Sequence, residues 1–210
     1  MMKFQKSLGL ILIGSSIFLA HPLGNSAHDL HKSEKIEKIE KNSTLQNIEA
    51  LQNEIVQSEE NRDKKTFQVV KTIIKAPPEV IFKTFTDYQR APEIFSYLKK
   101  SKILTSDGPK KTIFCEVEIA GGLFKFEYVL EYIEHAPTLV EWRRVSGAFK
   151  SNEGYWKFEP LDKSKSTLVT YSKYVDGGFL FPHFMVKKEL RNTMPVILTE
   201  LKRSVETLPD

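Results

Sequence analysis

The sequence predicts an α+β domain of the helix-grip kind, a curved antiparallel sheet of about seven strands around one long C-terminal helix, with two short helices after the first strand. Three observations predict it. From Thr112 onward, several segments alternate apolar and polar residues with a period of two. Near the C-terminus, Val186, Leu190, Met194, Ile197, Leu201 and Val205 recur at helical spacing. The strands come first and that helix last, so its apolar stripe has the sheet's apolar face as its partner.

Thr66 to Lys75 is rich in β-branched residues and reads as the first strand. Ala76, Pro77 and Pro78 end it, and proline in a first turn is a normal helix start. Val80, Ile81, Phe82 and Phe85 give that helix its spacing, and a second short helix is predicted from Ala91 to Leu98. In Thr112 to Ile119, Ile113, Cys115, Val117 and Ile119 share one face, with Glu116 and Glu118 on the other. Gly121 and Gly122 turn the chain into Leu123 to Ile133, and the two strands form a hairpin. Leu139 to Val145, Tyr155 to Glu159 and Thr167 to Val175 complete the run. The helix from Phe181 to Val205 is more than ~30 Å long at ~1.5 Å per residue, and Pro195 is expected to kink or break it.

The first 65 residues read differently. Lys3 and Lys6 precede an uncharged apolar run from Leu8 to Ala20, shorter than the ~20 residues of a membrane span, and small residues follow. Residues 1–27 are therefore predicted to be a signal peptide, with an uncleaved anchor as the alternative. Export to the periplasm or beyond is the expectation, and no cysteine offers a lipoprotein site. Residues 28–65 carry mostly Lys, Glu, Asn, Gln and Ser, with a thin stripe at Ile48, Leu51 and Ile55. They read as a charged, partly helical linker, a dimerising helix being the alternative. That leaves 66–208 for the domain.

The net charge of +4 is scattered rather than gathered on one face, which argues against nucleic-acid binding. Cys115 is the single cysteine, excludes an intramolecular disulfide and reads as a small buried hydrophobe.

Within 66–208 the sequence resembles the START-like, or SRPBCC, superfamily, and within it the coenzyme Q-binding and polyketide cyclase/dehydrase branch. The likeness rests on Ala76 to Phe82 (APPEVIF), Asp87 and Tyr88 with Pro92, Trp142 and Arg143, Gly147 to Trp156 (GAFKSNEGYW), and Thr167 to Tyr171 (TLVTY). It implies a helix-grip fold with a cavity between sheet and helix. The fold hosts carriers, receptors and cyclases, so the resemblance alone names no function.

No phosphate-binding glycine loop, zinc-ligand spacing or nucleophile elbow occurs, and neither cofactor nor metal is expected. Glu116, Glu118, Glu127 and Glu131 fall on the wet face. The candidate cavity consists of Phe124, Phe126, Tyr128, Trp142, Arg144, Trp156, Phe158, Tyr171, Leu190 and Met194, an apolar wall with a few polar donors. Arg144 is included because it shares the parity of Trp142, and a guanidinium turned inward needs a partner, either an internal carboxylate or a ligand's polar head. Phe179, Phe181, His183 and Phe184 are read as a lid or mouth, with transient membrane contact as the rival use of that segment. The leading expectation is a monomeric, exported binding or carrier protein for a lipid, quinone or isoprenoid. A cyclase or dehydrase acting on a polyketide-like substrate and a non-catalytic interaction module are the alternatives.

Overall fold

In the computed structural model, residue 51, residues 54–179 and residues 181–207 are described. The expected signal peptide and most of the 28–65 linker lie outside them. Eight strands form one sheet, β1 (Val56–Arg62), β2 (Lys65–Ile74), β3 (Leu98–Asp107), β4 (Lys110–Ile119), β5 (Phe124–His135), β6 (Leu139–Gly147), β7 (Ser151–Leu161) and β8 (Ser166–Asp176). Helices α1 (Pro78–Phe85) and α2 (Ala91–Ile94) connect β2 to β3, and α3 (His183–Glu206) ends the fold. The sheet order is β1-β2-β8-β7-β6-β5-β4-β3, every pairing antiparallel. The helix-grip expectation holds, with eight strands instead of about seven.

Both strands absent from the sequence reading lie at the edges. Val56–Arg62 belongs to the stretch read as a linker, yet it pairs with β2 from Val56↔Lys71 to Arg62↔Lys65. Leu98–Asp107 follows α2, which ends at Ile94 rather than Leu98. Polar and charged residues dominate β1, and three lysines with other polar residues dominate β3, compositions that protect open sheet edges from further pairing.

Helix α1 starts on Pro78, whose missing N–H costs nothing in a first turn. Ile81 and Phe85, four apart, point into the sheet, and Thr86 closes the helix by donating its backbone N–H to Phe82 O at 2.9 Å. The β4–β5 hairpin turns through Gly121 and Gly122 at φ 68° and 89°, backbone that suits glycine. In β6 a bulge places Val129 opposite Ser146 and Leu130 opposite Arg144, so Val145 is the extra residue and stands exposed.

Helix α3 runs unbroken through Pro195, without the predicted break. Its burial is graded along its length. Val186 and Leu190 are half-buried, whereas Met194, Ile197, Leu198, Leu201 and Val205 are buried. The C-terminal half is seated on β2, α1 and the centre of the sheet, where each fully buried aliphatic side chain contributes roughly 1.5–3 kcal/mol. The first two turns stand away from the sheet, and space opens beneath them. Among the described residues, no helix is long and apolar enough to cross a membrane.

Candidate functional site

The space under the start of α3 is an apolar pocket enclosing about 150 Å³. Its floor is the inner face of the sheet, Val117 and Ile119 from β4, Phe124, Phe126 and Tyr128 from β5, and Lys173 and Val175 from β8. Met185, Val186, Glu189, Leu190, Thr193 and Ile197 of α3 form the roof, with Tyr97, Phe149 and Phe181 completing the wall. The strands supply these side chains by simple alternation, since residues two apart share a face.

Aromatic rings narrow the mouth, which stays partly open. Phe181 meets Phe124 and Phe126 edge-on, with centroids 6.2 Å and 5.5 Å away. Phe149 packs against Phe126 at 4.9 Å and holds φ at 71°, an unfavourable backbone for an aromatic residue that the surrounding contacts sustain. Gly177 makes the close approach of Phe181 feasible, because a Cβ there would come within 2.5 Å of Phe181 Cβ. A cavity of about 150 Å³ suits a group the size of benzene. Sites that enclose larger ligands span ~300–1,000 Å³, so such a ligand must displace the Phe181 wall.

The structure divides the sequence-predicted cavity set. Phe124, Phe126, Tyr128 and Leu190 line the pocket. Trp142, Trp156, Phe158 and Tyr171, buried further along the sheet, and Met194, buried further along α3, do not. Trp156 stacks on Tyr171 at 4.0 Å with planes 6° apart, and Phe85 of α1 lies 4.9 Å from Trp156 and 6.2 Å from Phe158. Alternation put these residues on the correct face, but α1 fills that end of the grip. Arg144 sits opposite Leu130 on the inner face, yet its guanidinium turns to the hairpin and donates to Gly147 O at 2.7 Å and Ala148 O at 3.3 Å. No inward carboxylate is needed.

The predicted lid is divided as well. Phe181 stands in the wall at the mouth, while Phe179 is 95% exposed and Phe184 71% exposed. His183 and Phe184 border a separate outer groove beside Tyr174 and Lys187. Leu123, 80% exposed, and Met185 add to the apolar rim.

Among the pocket residues that the sequence reading missed is Lys173. It shares the parity of Val169, Tyr171 and Val175, all buried on the inner face, and that parity was the available signal. It is half-buried and lines the pocket. Burial lowers its amine from 10.5 to about 8. β4 lies four places from β8 in the sheet order, yet Val117 and Ile119 line one pocket with Lys173 and Val175, so the sheet is curled. Burial pushes the Cys115 thiol up to about 12 and the Tyr97, Tyr128 and Tyr171 phenols well above their usual range. Those groups stay neutral where Lys173 titrates.

The wet face behaves as expected. Glu131 binds Lys110 and Arg143, both at 2.6 Å, which hold its carboxyl below the usual range, and Lys125 bridges Glu116 and Glu118. Among the described residues, no three His, Cys, Asp or Glu side chains converge as metal ligands.

With this geometry in hand, the comparisons with known proteins are decisive for the family. Residues 74–202 match the profile of the polyketide cyclase/dehydrase and lipid transport family, more than half of the chain. The chain belongs to this family. Solved structures with the same fold include a START superfamily protein from Mycobacterium smegmatis, 22% identical, with a TM-score of 0.62, covering 68% of this chain and 99% of that one. A STAR-related lipid transfer protein from Xanthomonas axonopodis is 13% identical, with a TM-score of 0.64 over 74% of this chain and 95% of the other. The Zhui aromatase/cyclase from a Streptomyces species is 13% identical, with a TM-score of 0.59 over 72% and 94%. Comparison with curated proteins gives no match. The family and its fold support hydrophobic-ligand binding or a cyclase-type role.

Proposed function

We propose that the protein is an exported, monomeric carrier that encloses an apolar or amphipathic small molecule, such as a lipid, quinone or isoprenoid, beneath the first turns of α3. The observation that carries this reading is the graded seating of α3. Its C-terminal half is locked into the core while Val186 and Leu190 stand over an apolar pocket that Phe181 narrows at its mouth. Moving an apolar ligand from water onto these walls yields ~25 cal/mol per Å² buried. Loading swings Phe181 outward, and the exposed rim of Leu123, Phe179 and Phe184 touches a lipid surface during exchange. Export rests on the charged start and apolar run of residues 1–27.

Titration with Nile red tests the reading. Saturable binding at one site per chain is expected, and Leu190→Trp, which fills the pocket from its roof, abolishes it. Equal binding to both proteins contradicts the proposal.

A cyclase-type activity is the second reading, favoured by one observation, the amine of Lys173 inside the pocket and within reach of neutral pH. Against it, no second titratable group lies in hydrogen-bonding or ion-pairing contact with that amine among the described residues.

A further inference from the structure

Lys173 sits on the inner face of β8, between Gln68 of β2 and Gly154 of β7 in the sheet register. Neither neighbour satisfies it. Gly154 has no side chain, and the Gln68 amide is engaged with Glu59. Among the described residues, the ammonium makes no hydrogen bond and no ion pair. Glu189 of α3 also lines the pocket, but it makes no ion pair with Lys173.

A second donor lacks an acceptor close by. Asn152 pairs with Val175, which makes it a diagonal neighbour of Lys173 on the same face. Trp142 Nε1, which can only donate, binds Asn152 Oδ1 at 3.3 Å, and this fixes the orientation of the amide. Nδ2 is the atom left over, buried and without a partner. Nδ2 is sealed away from the pocket, but the Lys173 cation lines it, and an unpaired cation in an apolar pocket is a cost that an anion removes.

Resting on the carrier reading above, we propose that Lys173 anchors the carboxylate of an amphipathic acid whose apolar tail lies along Phe126, Tyr128, Val175 and Leu190. The pocket accordingly selects an acid over a neutral lipid of the same length. The charged or titratable groups facing Lys173 are Cys115 of β4, Tyr128 of β5, Tyr97 ahead of β3, Tyr171 on its own strand and Glu189 of α3.

Calorimetric titration of the full chain with decanoic acid and decan-1-ol tests this. At about pH 6.5 the acid is expected to bind about tenfold more tightly than the alcohol, and at about pH 9.5 that preference shrinks several-fold as the amine loses its proton. Lys173→Met abolishes the difference between acid and alcohol, and Lys173→Arg, which keeps the charge, retains it. Equal binding of both compounds to the wild type, or an acid preference surviving in Lys173→Met, overturns the anchor and leaves the carrier reading standing. If neither compound binds the wild type, the anchor fails together with the carrier reading on which it rests.

Discussion

Gly154 stands directly opposite Lys173 on the β7–β8 ladder, and the ring of Trp142 occupies the space that its missing side chain leaves. A Cβ at Gly154 would collide with the Ser172 backbone carbonyl oxygen on β8 and lie 2.5 Å from Trp142 Cζ2. Gly154→Ala therefore displaces the indole and loosens its bond to Asn152. The expected cost is about 2–4 kcal/mol, combining overpacking with a disturbed buried hydrogen bond. Urea denaturation measures it, and a change below ~0.5 kcal/mol refutes the close packing described.

Trp156 tests the division between core and pocket. Its stack on Tyr171 and its contact with Phe85 belong to the end filled by α1. Trp156→Ala is expected to destabilise the fold by about 3–5 kcal/mol while the remaining folded protein still binds ligand. Tyr128→Ala, at the pocket wall, is expected to weaken binding several-fold. The two variants separate stability from affinity when denaturation and titration are run side by side.

Gly177 controls the mouth. Gly177→Ala sets a methyl against Phe181 Cβ and its carbonyl, 2.5 Å and 2.8 Å from the new carbon, and drives that ring off Phe124 and Phe126. Ligand dissociation, followed by stopped-flow fluorescence, should accelerate several-fold. An unchanged rate assigns gating to another part of the wall.

Lys173 gives stability an unusual pH dependence. Its folded-state amine titrates at about 8 instead of 10.5, so between those values the unfolded chain holds the proton that the folded chain has released. Stability rises with pH wherever the unfolded state binds more protons, so this contribution rises from about pH 8 to about 10.5 and is absent from Lys173→Met. At neutral pH, Lys173→Met removes the cost of an unpaired enclosed charge and is expected to stabilise the protein by about 1–3 kcal/mol. A destabilised variant whose pH profile matches the wild type contradicts this.

The sequence makes much of the fold legible because its central strands follow a strict period. In β4 and β5 the alternation of Ile113, Cys115, Val117 with Glu116 and Glu118, and of Phe126, Tyr128, Leu130 with Glu127 and Glu131, assigns both strand and face. The edge strands obey another demand. Val56–Arg62 and Leu98–Asp107 are polar because an exposed edge must resist pairing, and a polar strand has no apolar period to read. Alternation also says which side a residue faces but not what covers it. Trp156 and Phe126 both face inward, yet α1 packs on one while the other faces open space under α3. Phe149 escaped because its turn holds a positive φ that no sequence period signals, whereas Lys173 was within reach of parity alone.

Native mass spectrometry of the purified full chain, with organic extraction of whatever it carries, tests the central claim most directly. The predicted result is one apolar or amphipathic molecule per chain, released by extraction and absent from Leu190→Trp. A wild-type protein that carries nothing and takes up no lipid, quinone, isoprenoid or fatty acid from an added panel would contradict the carrier reading.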